Sequence, residues 1–125
     1  MDKDRVQRQK THKWIERQVE FFKPLLGLDA QKISVSFRED TGYMEITLTY
    51  PYLEPTIRFN DKVVKDFLGG ELKADRVLHE LCHVLTDPLY TKACGRWVSR
   101  DEVNDERERL TDTMTIIIRN LIEKI

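Results

Sequence analysis

One hundred and twenty-five residues suffice for one domain, residues 1–125, with a core that needs no staples. Lys and Arg number 21 against 22 Asp and Glu, and the resulting net charge of −1 gives no global electrostatic case for nucleic acid or an anionic membrane. No apolar run is long enough to span a bilayer, and the segment from Met1 to Lys13, charged and carrying Asp2 and Asp4, has no secretory h-region, so the expected setting is cytoplasmic.

Residues Asp4 to about Leu26 have the period of an amphipathic helix. Trp14, Val19 or Ile15, Phe22 and Leu26 form one apolar stripe, Arg5, Arg8, Lys10, Lys13 and Arg17 are expected in solvent, and Pro24 and Gly27 kink or end the helix. His12, among charges and far in sequence from the other histidines, is expected on the surface. Ile33 to Phe37 and Tyr43 to Tyr50 alternate apolar and polar residues around an Asp40-Thr41-Gly42 turn signal, which predicts a β-hairpin. Thr56 to Phe59 is a third short strand, and Pro55 at its entry suits a sheet edge. Asn60 or Asp61 caps a short helix through Val64 and Phe67 that Gly69 and Gly70 close.

A further helix is predicted from Glu71 to about Thr86, stopped by Asp87-Pro88. Leu89 to Arg100 has no clear period and is expected to be a loop. The last helix begins near Ser99, which stands three residues before Glu102 as in a capping box, and its Val103, Leu110, Met114, Ile117 and Leu121 are expected in the core. This order predicts an α+β domain in which an N-terminal helix, a central helix and a C-terminal helix pack on a small three-stranded antiparallel sheet.

The chemistry lies in the central helix, where His79-Glu80-x-x-His83 interrupts an apolar run. Histidines four apart share one helix face and can present two imidazoles to a single Zn²⁺, while Glu80 stands beside them as a general base. Val77, Leu81, Val84 and Leu85 cluster on the other side, so the helix can bury its apolar stripe and open its histidines to a cleft. Two core histidines would more naturally lie on that stripe. Cys82, inside the motif, reads as a small packed residue, and Cys94 as a zinc thiolate is a minor alternative. The pair makes no disulfide framework, in keeping with a reducing compartment.

A catalytic zinc usually takes three protein ligands and keeps a fourth position open. The last helix offers Glu102, Glu106 and Glu108. Glu108 is preferred because it projects away from the Leu110-Ile117-Leu121 stripe and because Asp112, one turn on, can accept a hydrogen bond from a ligating histidine. Glu106 becomes the ligand if the stripe itself packs on the motif helix, and Glu102 stands behind both.

His79-Glu80-x-x-His83 followed by Glu108-Arg109-Leu110-Thr111-Asp112 resembles the gluzincin zinc metallopeptidases, in which a two-histidine helix is followed by a ligand glutamate with an aspartate four residues later. The short chain resembles the minimal members, the small metallopeptidases encoded by phages and prophages and the SprT-like domains. The resemblance spans about Val77 to Met114. It departs from thermolysin-type enzymes in a longer interval from His83 to Glu108 and in the lack of an Asn immediately before Glu108. It implies a zinc-dependent peptidase acting on a peptide or protein, in a bacterial host cytoplasm if phage-encoded. Zn²⁺ would sit on His79, His83 and Glu108, Glu80 would be the base, Tyr90 or Arg96 an oxyanion donor, and the strand at Thr56 to Phe59 a sheet edge for an extended substrate. Two other readings stand beside it. One is a non-catalytic or regulatory zinc protein, against which an intact Glu80 speaks. The other is a DNA-associated protein using the basic N-terminal helix, against which near-neutral charge and the lack of a zinc-ribbon cysteine pattern speak.

Overall fold

The structure, a computed structural model, describes residues 2–49, 54–93 and 99–123. Helix α1 (Lys3–Phe22) starts on Asp2, whose carboxylate accepts from the Asp4 N–H, and buries Thr11, Ile15, Val19 and Phe22. Ile15 rather than Trp14 heads the stripe; Trp14 is half-buried, its ring 5.8 Å from that of Phe67. A 3₁₀ turn (Pro24–Leu26) follows, and Gly27 closes it at φ 71°, a left-handed conformation that suits a residue without Cβ. His12 is not a free surface residue. Its Nε2 lies 2.8 Å from the Val35 carbonyl oxygen and its Nδ1 3.0 Å from Glu16, so it ties the helix to the first strand.

The class is α+β, as expected, but the sheet is mixed rather than antiparallel. Strands β1 (Ser34–Phe37), β2 (Met44–Thr49) and β3 (Glu54–Phe59) lie in the order β1-β3-β2, with β1 parallel and β2 antiparallel to β3. The expected β1–β2 hairpin does not form, and β3 is central instead of at the edge. Burial explains the choice: Pro55, Ile57 and Phe59 point one way from β3 and are buried, a demand best met in the middle of the sheet. Pro55 is tolerated there for a geometric reason. The Asn60 N–H bonds the Tyr43 carbonyl on the β2 side, while the Phe59 carbonyl accepts from Arg38 beyond the end of β1, so the missing donor of Pro55 would have faced β1. Strand β1 begins opposite Thr56, so no ladder bond is lost.

Helix α2 (Asp61–Leu68) is capped by Asn60, which accepts from the Lys62 and Val63 N–H groups, and Gly70 follows it at φ 75°. Helix α3 (Ala74–Ala93) does not stop at Pro88. A helix-interior proline costs roughly 3 kcal/mol, and the last turns of α3 hold contacts that offset it. Thr86 bonds Thr111 at 3.0 Å in the buried seam with α4 (Arg100–Glu123), and Arg107 lies 3.9 Å over the Tyr90 ring. The Ser99 hydroxyl caps α4 by accepting from the Glu102 N–H at 3.1 Å.

The core joins Ile15, Val19 and Phe22 of α1, Met44, Ile57 and Phe59 of the sheet, Val63 and Val64 of α2, and Val77, Leu78, Leu81 and Cys82 of α3. Helix α4 joins it through half-buried Met114, Ile118 and Ile122, with Thr111 and Thr115 buried. Leu110, Ile117 and Leu121, expected in the core, are exposed. The centre of this packing is testable at Ile57, which is 0% exposed. Ile57→Ala is expected to lower the unfolding free energy by about 2–5 kcal/mol in chemical denaturation.

Candidate metal centre

The HExxH spacing puts Arg76, His79, Glu80, His83 and Asp87 on one stripe of α3, and α4 lays Glu108 and Asp112 against it. Together with Met44, Glu45 and Ile46 of β2 and Arg107 of α4, these residues (Asp112 apart) line a polar cleft of about 310 Å³. His79 Nε2 and His83 Nε2 lie 3.2 Å apart. Glu108 offers one oxygen at 3.5 Å to each. One ligand atom from each of His79, His83 and Glu108 falls within 4.8 Å of the others, so the three could hold a metal ion. Glu106 and Glu102 do not join them. Glu106 pairs with Arg109 at 2.9 Å, and both line a different, apolar cavity further along the helix pair.

The outer nitrogen of each imidazole is engaged. His79 Nδ1 lies 2.9 Å from Asp112, the expected partner, and His83 Nδ1 lies 3.0 Å from Asp87. A carboxylate only accepts, so each Nδ1 carries the proton and each Nε2 turns a lone pair into the cleft. Two lone pairs at 3.2 Å beside a carboxylate repel unless a cation or a shared proton lies among them. That is the physical fit of these residues to a metal.

The electrostatics follow the same plan. Burial, then the neighbouring His83 charge, push His79 below the ordinary histidine value. Burial also works against the His83 cation, but the Asp87 hydrogen bond and charge, with Glu80 and Glu108, outweigh it and raise its pKa. Burial pushes the Glu80 carboxyl up to about 7, opposed by Arg76, His83 and a backbone hydrogen bond from Ile46, with Glu108 adding to the rise. Only 3% of Glu80 is exposed. Arg76 reaches Glu80 at 3.4 Å, donates to the Met44 carbonyl at 3.3 Å, and lies 5.5 Å from the Tyr43 ring centre. Tyr43 is braced in turn by a 2.6 Å hydrogen bond to Asp66; burial and that bond push its pKa up to about 12.

The Glu80 environment carries a pH prediction for the metal-free protein. Its folded pKa, about 7, lies above the unfolded value of 4.5. The folded state therefore holds a proton that the unfolded state has released, and the stability this gives below pH 4.5 is lost as pH rises through 7. The loss should be on the order of 3 kcal/mol and absent from Glu80→Gln. Urea titrations of both proteins between these limits measure it, since His79 and His83 are present in both. Equal pH dependence in the two would contradict it.

Asp87, Arg76 and Arg107 were not singled out in the sequence. Asp87 is four residues after His83 and Arg76 four before Glu80, both a periodic signal; ending the helix at Asp87-Pro88 takes Asp87 alone out of it. Arg107 reaches Asp87 at 3.6 Å and Glu108 at 3.5 Å and so holds two of the site's carboxylates. Tyr90 lies under Arg107 and lines the apolar cavity rather than the metal cleft; Arg96 and Cys94 fall outside the described residues. Cys82 is buried in the core, its thiol raised by burial. The strand bordering the cleft is β2, not the Thr56–Phe59 strand expected to receive a substrate. No described helix is long and apolar enough to cross a membrane. No protein-family model, curated protein or solved structure matches the chain, so its functional reading rests on this cleft.

Proposed function

We propose that the protein is a zinc-dependent peptidase that hydrolyses peptide bonds in the β2–α3–α4 cleft. The observation that carries this reading is the inward-facing His79, His83 and Glu108 set with the Glu80 carboxylate lining the same cleft. Imidazole and carboxylate ligands suit zinc, and a three-ligand set keeps a position free, as a catalytic site requires. Zinc bound there would lower the pKa of a coordinated water toward neutrality and polarise a peptide carbonyl.

The chain's own residues do the rest. Glu80 Oε takes the water's proton and delivers it to the leaving amine. Arg76 and the Ile46 N–H aim that carboxylate and favour its charged form despite burial. Asp112 and Asp87 hold the two imidazoles in the tautomer that presents Nε2. The outer edge of β2 borders the cleft and supports an extended peptide by strand addition.

The test has two arms. Purified protein should carry about one zinc per chain, and the His79→Ala/His83→Ala double variant should carry none by elemental analysis. A quenched-fluorescence peptide library should be cut by the zinc form and not by the double variant. Zinc retained by the double variant defeats the metal reading; zinc without any hydrolysis leaves a metal-binding protein that is not a peptidase.

A further inference from the structure

Helix α3 closes part of the outer edge of β2. The Tyr43 carbonyl accepts from Asn60 on the β3 side, so the alternation of an antiparallel ladder turns the backbone groups of Met44, Ile46 and Leu48 outward, where the sheet has no further strand. Arg76 Nη2 donates to the Met44 carbonyl at 3.3 Å, and Glu80 accepts from the Ile46 N–H. An extended chain can pair with the edge at Leu48, but two residues past Ile46, roughly 7 Å on, it meets Arg76. The cation there is held in place. Its guanidinium lies 5.5 Å from the ring centre of Tyr43, which Asp66 braces, and its contacts with Glu80 and Met44 both use Nη2. The Arg76 side chain is 41% exposed and lines the cleft, and among the described residues Nη1 has no partner, so that nitrogen is open to a ligand. Arg107, the other cation of the cleft, is taken up by Asp87, Glu108 and Asn104.

Resting on the peptidase reading, we propose that Arg76 receives the free C-terminal carboxylate of the substrate, so that the protein trims chains from that end instead of cutting within them. A chain paired at Leu48 can bring either terminus to Arg76. An α-ammonium is repelled there, whereas an α-carboxylate gains a charge-assisted hydrogen bond from a planar, permanently charged donor. The substrate therefore runs antiparallel to β2. Glu80, which acts on the scissile bond, stands at Ile46 and Arg76 at Met44, so the terminus lies one or two residues beyond that bond. Hydrolysis breaks the C–N bond, adds the hydroxyl of one water to the acyl carbon and its other proton to the departing nitrogen, and releases a free amino acid or dipeptide. A chain continuing past this point would have to displace Arg76 from the Met44 carbonyl and loosen its hold on Glu80.

Peptides offered as free acids and as C-terminal amides to the zinc form of the full chain test it. kcat/KM for the acid should exceed that for the amide by about 10–100-fold, the effect of one hydrogen bond to a charged group, and mass spectrometry should show a free amino acid or dipeptide as the first product. Arg76→Gln should erase the ratio and Arg76→Lys keep part of it. A role confined to aiming Glu80 would slow acid and amide alike and leave the ratio where it was. Binding gives a second readout without turnover: zinc-loaded Glu80→Gln should hold N-acetyl-trialanine more tightly than its amide in an NMR titration, and adding Arg76→Gln should remove the difference. Equal rates and equal affinities for acid and amide overturn the proposal, and amidated peptides cut as fast as acids leave the peptidase reading standing without it. A preference that survives Arg76→Gln overturns it too, because the carboxylate then binds elsewhere. No hydrolysis, with an affinity difference that depends on Arg76, removes the peptidase reading and keeps the carboxylate site.

Discussion

Glu80→Gln is expected to keep fold and zinc while lowering peptide hydrolysis by about 10²–10⁴-fold, the share usual for a positioned proton acceptor. The amide fills the same volume between Arg76 and the Ile46 N–H, so the cleft should not collapse. What it loses is the basic oxygen, and the other carboxylates of the cleft are engaged elsewhere: Glu108 faces both imidazoles, Asp87 and Asp112 are each held by a histidine, and Glu45 accepts from the Thr41 hydroxyl and the Gly42 N–H. The comparison is zinc content and turnover in one preparation. Turnover within a few fold of wild type would remove Glu80 from the mechanism. Because metal-free Glu80→Gln should also escape the loss of stability between pH 4.5 and about 7, one variant reports separately on burial and on chemistry.

Glu108→Ala is expected to abolish tight zinc binding, which in chelator competition should separate it from every other acidic residue nearby. It offers an oxygen to both imidazoles, at 3.5 Å each, and its removal leaves two nitrogens alone in the cleft. Asp112→Ala and Asp87→Ala should weaken zinc by about 10–100-fold each, since they free an imidazole to turn or to change tautomer without removing a ligand. The Asp87 variant also frees Arg107 from one partner. Glu106→Ala should leave affinity unchanged, as its carboxylate is engaged by Arg109 beside the apolar cavity. Zinc lost from Glu106→Ala and kept by Glu108→Ala would reverse the assignment.

The local features of this chain were legible from the sequence because local rules set them. The HExxH register placed His79 and His83 on one face, Asn60 and Ser99 announced two helix starts through their side-chain acceptors, and Gly70 closed α2. Glu108 with Asp112 was legible for the same reason: residues four apart on a helix share a face, and that face lay away from the apolar stripe. Only the tertiary structure decided which strands pair and which apolar stripe is covered. The alternation in β1 and β2 fits a hairpin as well as two outer strands, and what excluded the hairpin was the burial demand of Ile57 and Phe59, which put β3 between them. Pro88 carries a local stop signal, but contacts with α4 carry α3 past it, and the same extension brings Asp87 to His83. Leu110, Ile117 and Leu121 have the period of a core stripe, yet Thr111 and Thr115 are the residues of α4 that are buried, because α3 approaches along the Thr86 face and leaves the apolar flank outside. Periodicity states that a helix face is apolar; what covers that face depends on the position of every other element.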